Sequence, residues 1–396
     1  MADNPGGTMR VAMVGYAFMG AAHSQGWRNA HRFFDLPATP ELTVLCGRTA
    51  DATEAAARKL GWADWATDWR EVVERDDVDV VDICTPGDTH RDIALAALAA
   101  GKHVLCEKPL ANTVAEAEEM ADAARSAGER GVRSMVGFSY RRTPALALAR
   151  DLVAAGRLGR IHHVRAEYLQ DWIVDPEFPL VWRLQKDKAG SGALGDIGAH
   201  VVDLASFLTG QRLTGVSGTL ERFVGERPLP RTDAGATGGL GASGGTGTGQ
   251  VTVDDAAAFF GRDEAGALAT FVATRFATGR KNAMRIELNG SDGSLAFDFE
   301  RLNELQVYDA TVPAADAGFR RILVTEPDHP YAGAWWPPGH GLGYEHTFVN
   351  EIADFVRDVV EGRQPSPSFD DGLYVQRVLD AVERSSDASS TWTAIS

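Results

Sequence analysis

Arg10-Val-Ala-Met-Val14, running into Gly15-Tyr-Ala-Phe-Met-Gly20, decides the fold. A short apolar strand ends at a glycine, and a helical pattern from about Met19 to Phe33 begins at once. The spacing is Gly-x-Gly-x-x-Gly with Ala17 at the middle position. The first glycine allows a tight turn, and a small middle residue lets backbone approach a pyrophosphate. The last glycine lets the helix pack closely on the strand, and the helix N-terminus offers N–H groups to phosphate. Gly15, Ala17, Phe18, Met19 and Gly20 are therefore expected to hold a dinucleotide.

Working outward, strands and helices alternate. Leu42–Cys46, Val78–Ile83, His103–Cys106 and Ser134–Phe138 read as buried strands. Ala52–Leu60, Arg91–Ala100 and a segment opened by the capping box Thr113-Val-Ala-Glu116 read as helices. Continuous apolar strands separated by helices imply parallel pairing with both faces covered. The expectation is an α/β, doubly wound Rossmann domain over residues 9–140, with ligands at the C-terminal strand edge. The second strand runs into Cys46-Gly47-Arg48, where an acidic residue would ordinarily bind the adenosine ribose. Gly47 removes that carboxylate, and the Arg48 guanidinium suits a 2′-phosphate. NAD and NADP both stay open, with the balance slightly toward NADP.

Composition narrows the function. The chain has 396 residues with 39 basic and 55 acidic side chains, a formal charge of −16. An acidic surface repels nucleic-acid backbones, so no nucleic-acid partner is expected. Cys46, Cys84 and Cys106 match no zinc or Cys-x-x-Cys spacing, and they read as small buried residues in a reducing compartment. No metal is expected. Met1–Thr8 carries no apolar signal core, and no apolar run approaches the roughly 20 residues that span a bilayer. A cytoplasmic protein with no membrane partner is the expectation.

After residue 140 the pattern changes. Pro144–Ala155 and Asp196–Leu208 read as helices and Ile161–Tyr168 as a strand. From Leu213 to Val324 strands alternate with turns such as Asn289-Gly290 and Asp292-Gly293. Two helices, Glu345–Glu361 and Asp371–Ser385, follow. Residues 141–396 are expected to form one α+β domain with a large, mostly antiparallel open sheet. Residues 231–250, nearly all Gly, Ala, Thr and Ser, are expected to form a mobile loop between two strands. Trp335-Trp336 reads as interface or core in preference to a lid over a ligand.

Three further motifs complete the pattern: Thr85-Pro86-Gly-Asp-Thr-His90, Glu107-Lys108-Pro109, and Gly190-Ser-Gly-Ala-Leu-Gly-Asp196-Ile-Gly-Ala-His200-Val-Val-Asp203. In this order, with the opening glycine turn, they resemble the Gfo/Idh/MocA oxidoreductase family over nearly the whole chain. Phe138–Pro144, Tyr168-Leu-Gln-Asp-Trp172 and Trp182-Arg-Leu-Gln185 are similar to its levoglucosan dehydrogenase branch and, more distantly, to inositol dehydrogenases. The resemblance implies a catalytic trio of Lys108, Asp196 and His200. It implies cofactor contacts from Thr85, Pro86, His90, Glu107, Lys108 and Arg183, beside Gly47 and Arg48. It implies sugar or polyol contacts from Lys108, Tyr140, Tyr168, Gln170, Trp172, Gln185, Asp196 and His200. It also implies a homodimer or homotetramer. Ser139 and Gly87 depart from it, since relatives often carry Asn at both places.

The spacing agrees with the trio. Asp196 and His200 lie four apart on one expected helix and so share a face, where a carboxylate can orient an imidazole. Lys108 follows a strand end at the ligand edge. The expected activity is NAD(P)-dependent oxidation of a secondary alcohol of a sugar, anhydrosugar or cyclitol to a ketone. A cofactor-recycling glycosidase or lyase of the same fold, or a non-catalytic dinucleotide sensor, are the alternatives.

Overall fold

The computed structural model describes residues 7–231 and 243–396. Contacts divide the chain into two compact units. One holds the residues up to Ser139 together with Gly343–Gln376, and the other holds Tyr140–Leu342 together with Arg377–Ser396.

In the first unit, strands and helices alternate as β1 (Thr8–Val14), α1 (Phe18–Phe33), β2 (Thr39–Cys46), α2 (Ala50–Leu60), β3 (Asp64–Ala66), α3 (Trp69–Val73), β4 (Val80–Ile83), α4 (His90–Ala99), β5 (His103–Cys106), α5 (Val114–Glu129) and β6 (Ser134–Val136). The sheet order is β3-β2-β1-β4-β5-β6, and every pairing is parallel. The order reverses between β1 and β4, which opens the crevice where doubly wound sheets bind ligands. Apolar strands explain the burial: Val11, Ala12, Met13, Val80, Val81 and Ile83 are inaccessible to solvent. β3 and α3 are too short for periodicity to show. Thr113 and Glu116 form the expected capping box on α5.

The second unit contains α6 (Pro144–Ala154), β7 (Ile161–Leu169), α7 (Lys186–Ala189), α8 (Ala199–Thr209), β8 (Leu213–Glu221), β9 (Glu226–Pro230), β10 (Gly244–Gln250), β11 (Ala256–Asp263), β12 (Leu268–Thr274), β13 (Ala283–Gly290), β14 (Gly293–Asp298), β15 (Glu304–Asp309) and β16 (Arg320–Leu323). The chain closes with α9 (Tyr344–Val360), α10 (Phe369–Asp387) and β17 (Thr393–Ala394). Among the described residues the large sheet has nine strands in the order β16-β15-β14-β13-β7-β12-β11-β8-β17. Only the β7–β12 pair is parallel, so the sheet is mostly antiparallel as expected.

Three expectations change. Residues 343–376 leave the expected 141–396 block and join the first unit. The cause is α9, which packs along α1. Trp27 meets Phe355 edge-on at 6.0 Å, and a side chain at Gly26 would come within 3.1 Å of Ile352. The expected loop at 231–250 is partly strand: 244–250 form β10, paired antiparallel with β9, while 232–242 lie outside the described residues. Composition misleads there because a ladder uses backbone groups and needs no apolar side chains. Gly249 lies so close to Leu180 that a Cβ would sit 2.6 Å from its Cδ2. Finally, Trp336 is 44% exposed, so it is not core. Among the described residues no helix is long and apolar enough to cross a membrane.

The opening turn is tightly constrained. Gly15 has φ +99°, and a Cβ on Gly20 would lie 2.2 Å from the Gly15 carbonyl oxygen. Gly20→Ala forces backbone apart and should destabilise the protein by about 1–3 kcal/mol. Urea unfolding of variant and parent measures this; an unchanged midpoint contradicts the constraint.

Candidate active site

The dinucleotide edge is built by the β1–α1 turn. Ala17 is the N-cap of α1; no side chain caps that end, and its first turn carries no acidic residue. The first-turn amides and the positive helix end therefore suit a pyrophosphate. Ala17 and Phe18 are exposed and Met19 is half-buried. At the adenosine end, a Cβ on Gly47 would lie 2.1 Å from Cε1 of Tyr16 and 2.4 Å from Oγ1 of Thr53. The Tyr16 ring thus occupies the space that a carboxylate-bearing side chain at position 47 would need. Arg48 is exposed beside it.

The loops after β4 and β5 carry the next motifs. Thr85 and Pro86 are half-buried at the sheet edge. The Thr85 and Thr89 hydroxyls lie 2.7 Å apart. His90 is the residue expected beside the cofactor path. It is 1% exposed, and its nitrogens face the carbonyl oxygens of Pro109 (3.0 Å) and Thr85 (2.9 Å), so it holds the two loops together. A Cβ on Gly87 would meet Oδ1 of Asn112 at 2.5 Å, so the Asn112 side chain occupies the space that a side chain at position 87 would need.

Glu107 is 5% exposed, and its Oε2 accepts the Lys108 amide N–H at 3.1 Å. Its Oε1 lies 2.9 Å from Nε2 of His23, whose Nδ1 lies 2.9 Å from Oδ2 of Asp82. The Trp27 indole donates to that same Asp82 oxygen at 2.7 Å. Burial opposes charge on His23, but Asp82 and Cys84 together outweigh it and raise the imidazole pKa well above its usual value. Burial pushes the Cys84 thiol up, and Asp82 adds to the effect. Burial raises Cys46 to about 12. All three cysteines are free and buried, as the sequence suggested. His23, Asp82 and Cys84 place potential ligand atoms within 4.8 Å of one another. That set suits a metal poorly, because both His23 nitrogens already face carboxylates.

The second unit brings another group of predicted residues together. Asp196 lies on a π-turn, Leu194–Gly198, that leads into α8 with His200 in its first turn. The helix therefore starts two residues earlier than expected and with a wider first turn, a distortion frequent at functional sites. His200 is 7% exposed, and Tyr140 stacks on it at 4.5 Å with 25° between the rings. A hydrogen-bonded chain continues from Tyr140. Its hydroxyl lies 2.6 Å from that of Tyr168, which donates to Oδ1 of Asn282 at 2.6 Å. The same oxygen accepts from Gln170 at 2.8 Å, and Oε1 of Gln170 accepts the Trp172 indole N–H at 3.0 Å. Tyr140 and Tyr168 are buried, whereas Gln170 and Trp172 are half-buried. Arg141 forms a buried ion pair with Asp203, tying the Tyr140 segment to α8.

Arg275 underlies this group. Fully buried, it places Nη1 3.5 Å from Oδ2 of Asp196 and 3.5 Å from the Arg183 carbonyl. Its Nη2 donates to the Asp254 carbonyl at 3.0 Å, and the Trp172 ring lies 5.4 Å above its guanidinium. The Asp254 carboxylate accepts the amides of Gly192 (2.6 Å) and Leu194 (2.8 Å), fixing the approach to the π-turn. Arg183 lies over Trp182 at 4.4 Å, and Gln185 is half-buried at the start of α7. The segment carrying Trp172, Arg183 and Gln185 rests on a small core of Ile173, Leu180, Val181, Leu184, Val251 and Val253.

Sequence reasoning missed His23, Asp82, Tyr16, Asn282, Asp254 and Arg275. Two carried a signal. Asp82 interrupts an otherwise apolar strand. Arg275 follows the buried parity of Ala269, Phe271 and Ala273, and a buried arginine requires partners. Asp254→Ala leaves two amide donors without their acceptor and should cost on the order of 2–4 kcal/mol. Chemical denaturation checks this; a loss within error of zero removes Asp254 as the anchor of the π-turn.

Known proteins bear on these observations. The oxidoreductase family with an NAD-binding Rossmann fold matches residues 9–138, and the GFO/IDH/MocA C-terminal domain matches residues 146–296. Levoglucosan dehydrogenase of Pseudarthrobacter phenanthrenivorans is 42% identical over 390 residues, covering 98% of each chain. The crystal structure of an oxidoreductase domain protein from Kribbella flavida is 63% identical with a TM-score of 0.93, covering 98% of this chain and 99% of that one. A levoglucosan dehydrogenase complex with NADH and levoglucosan is 41% identical with a TM-score of 0.91, again covering 98% and 99%. With the family matched across both of its domains, this chain belongs to the Gfo/Idh/MocA oxidoreductases and carries their NAD-binding Rossmann domain.

Proposed function

We propose that this oxidoreductase removes hydride from a secondary alcohol of a sugar, anhydrosugar or cyclitol, giving the ketone. Levoglucosan is the first substrate to test, because a relative 42% identical along 98% of this chain is a levoglucosan dehydrogenase. The observation that carries the reading is the His200 environment. The imidazole is buried, stacked on Tyr140 and one helical turn from Asp196, while the linked Gln170 and Trp172 keep surface for a sugar's hydroxyls and apolar face.

In this reading His200 accepts the hydroxyl proton as general base. A bound nicotinamide would supply the hydride acceptor. Lys108 is assigned to the negative charge that develops on the reacting oxygen. Asp196, 3.5 Å from the Arg275 guanidinium, is assigned to orient the substrate hydroxyl or the imidazole. Glu107 is assigned to the nicotinamide ribose, Pro86 and Thr85 to the nicotinamide end, and Arg183 to the cofactor's amide or phosphate region. NAD is the favoured cofactor, since the relative's solved complexes hold NADH. Arg48, exposed beside Gly47, leaves room for NADP. Self-association is proposed through one face of the large sheet, where Phe260, Val272 and Trp392 are exposed.

His200→Ala should lower turnover by about 10²–10⁴-fold and leave NADH affinity, read by fluorescence titration, within twofold of the parent. Undiminished turnover contradicts the assignment of His200.

A further inference from the structure

The mechanism leaves a buried pair unused, His23 and Asp82, and this pair reaches Glu107. His23 and Asp82 are inaccessible to solvent, and Glu107 is 5% exposed. Both His23 ring nitrogens lie 2.9 Å from carboxylate oxygens, Nδ1 from Asp82 and Nε2 from Glu107. A neutral imidazole has one N–H, so one nitrogen would turn a lone pair toward a carboxylate; only the imidazolium donates at both. The other neighbours fit ionised carboxylates. The Trp27 indole, which can only donate, shares Asp82 Oδ2, and the Cys84 thiol donates to Asp82 Oδ1 at 3.5 Å. Phe348 covers the ring at 5.4 Å, so no water replaces these partners from that side.

We propose that His23 is a positioning residue: as a buried imidazolium it bridges Asp82 and Glu107 and thereby fixes the carboxylate that holds the Lys108 amide. This rests on the proposed roles of Glu107 toward the cofactor ribose and Lys108 toward the reacting oxygen. One Glu107 oxygen is committed to His23 and the other to the Lys108 N–H, so the side chain is held from both ends. The loop after β5 takes its position from a charge on α1. Without the bridge, two buried carboxyl groups lose the group that donates to both, and Glu107 is free to turn. A displacement of about 1 Å at a reacting group can cost on the order of a hundredfold in rate.

The test has two arms. In the unmodified protein, nitrogen-detected NMR of labelled histidine should show both His23 ring nitrogens protonated at neutral pH. A lone-pair nitrogen there overturns the proposal. In His23→Gln, checked by circular dichroism to be folded, NADH should bind about tenfold more weakly and kcat should fall about 10–100-fold, with sugar KM within twofold. Asp82→Asn should act in the same direction and serves if His23→Gln does not fold. A folded variant with lowered thermal stability but parental NADH affinity and kcat shows a purely structural role and overturns the proposal. If the protein oxidises no sugar, the proposed function falls, but the NMR and NADH arms still decide the role of His23.

Discussion

Between Gly15 and Gly20 two backbone segments pass too closely for any side chain. A Cβ on Gly20 would overlap the Gly15 carbonyl, and one on Gly15 would press within 2.7 Å of the Cys84 carbonyl. That contact fixes where α1 leaves the sheet and how it is rotated. Three residues on, His23 faces β4 and the end of β5, where it meets Asp82 and Glu107. Four residues after that, Trp27 reaches the same Asp82 and packs on Phe355 of α9. The glycine turn thus also registers the buried cluster of His23, Asp82 and Glu107. It explains why the distant segment 343–376 belongs to this unit.

The second unit solves a similar problem with different groups. Its candidate imidazole is fixed by stacking on Tyr140, and its candidate carboxylate by Arg275. Arg275 is affordable inside the protein because carbonyl oxygens, Asp196 and the Trp172 face surround it. The small core beneath residues 172–185 lets a segment poor in regular structure hold its side chains still. In both units buried charged groups, His23 and Arg275, stand behind the candidate site residues.

Much of this was legible in the residues. The glycine turn, the alternation after it and the turn dipeptides between later strands gave both sheet types, because backbone sterics and side-chain periodicity act locally. Lys108, Asp196 and His200 stood out because three loose motifs in fixed order are together specific. What stayed hidden depends on contacts far apart in sequence. Asn282 joins Tyr168 to Gln170 from over 110 residues away, Asp254 caps amides 60 residues upstream, and the Tyr16 ring explains Gly47 only once folded. The carbonyl partners of His90 likewise lie on two separate loops. The 244–250 strand was missed because its pairing rests on backbone groups that composition does not register.

The central claim is that the chain oxidises a sugar hydroxyl with net transfer of hydride to the nicotinamide. The most direct measurement follows the absorbance of the reduced nicotinamide while sugar consumption is quantified in the same vessel, across sugars, anhydrosugars and inositols with NAD and NADP. The account predicts reduced cofactor and ketone appearing in equal amounts, with levoglucosan and NAD tried first. Consumption of a sugar with no net change in reduced cofactor would contradict it and point to a bond-cleaving enzyme that recycles its cofactor. No oxidation of any sugar in the panel, and no reduction of the matching ketones, would contradict it outright.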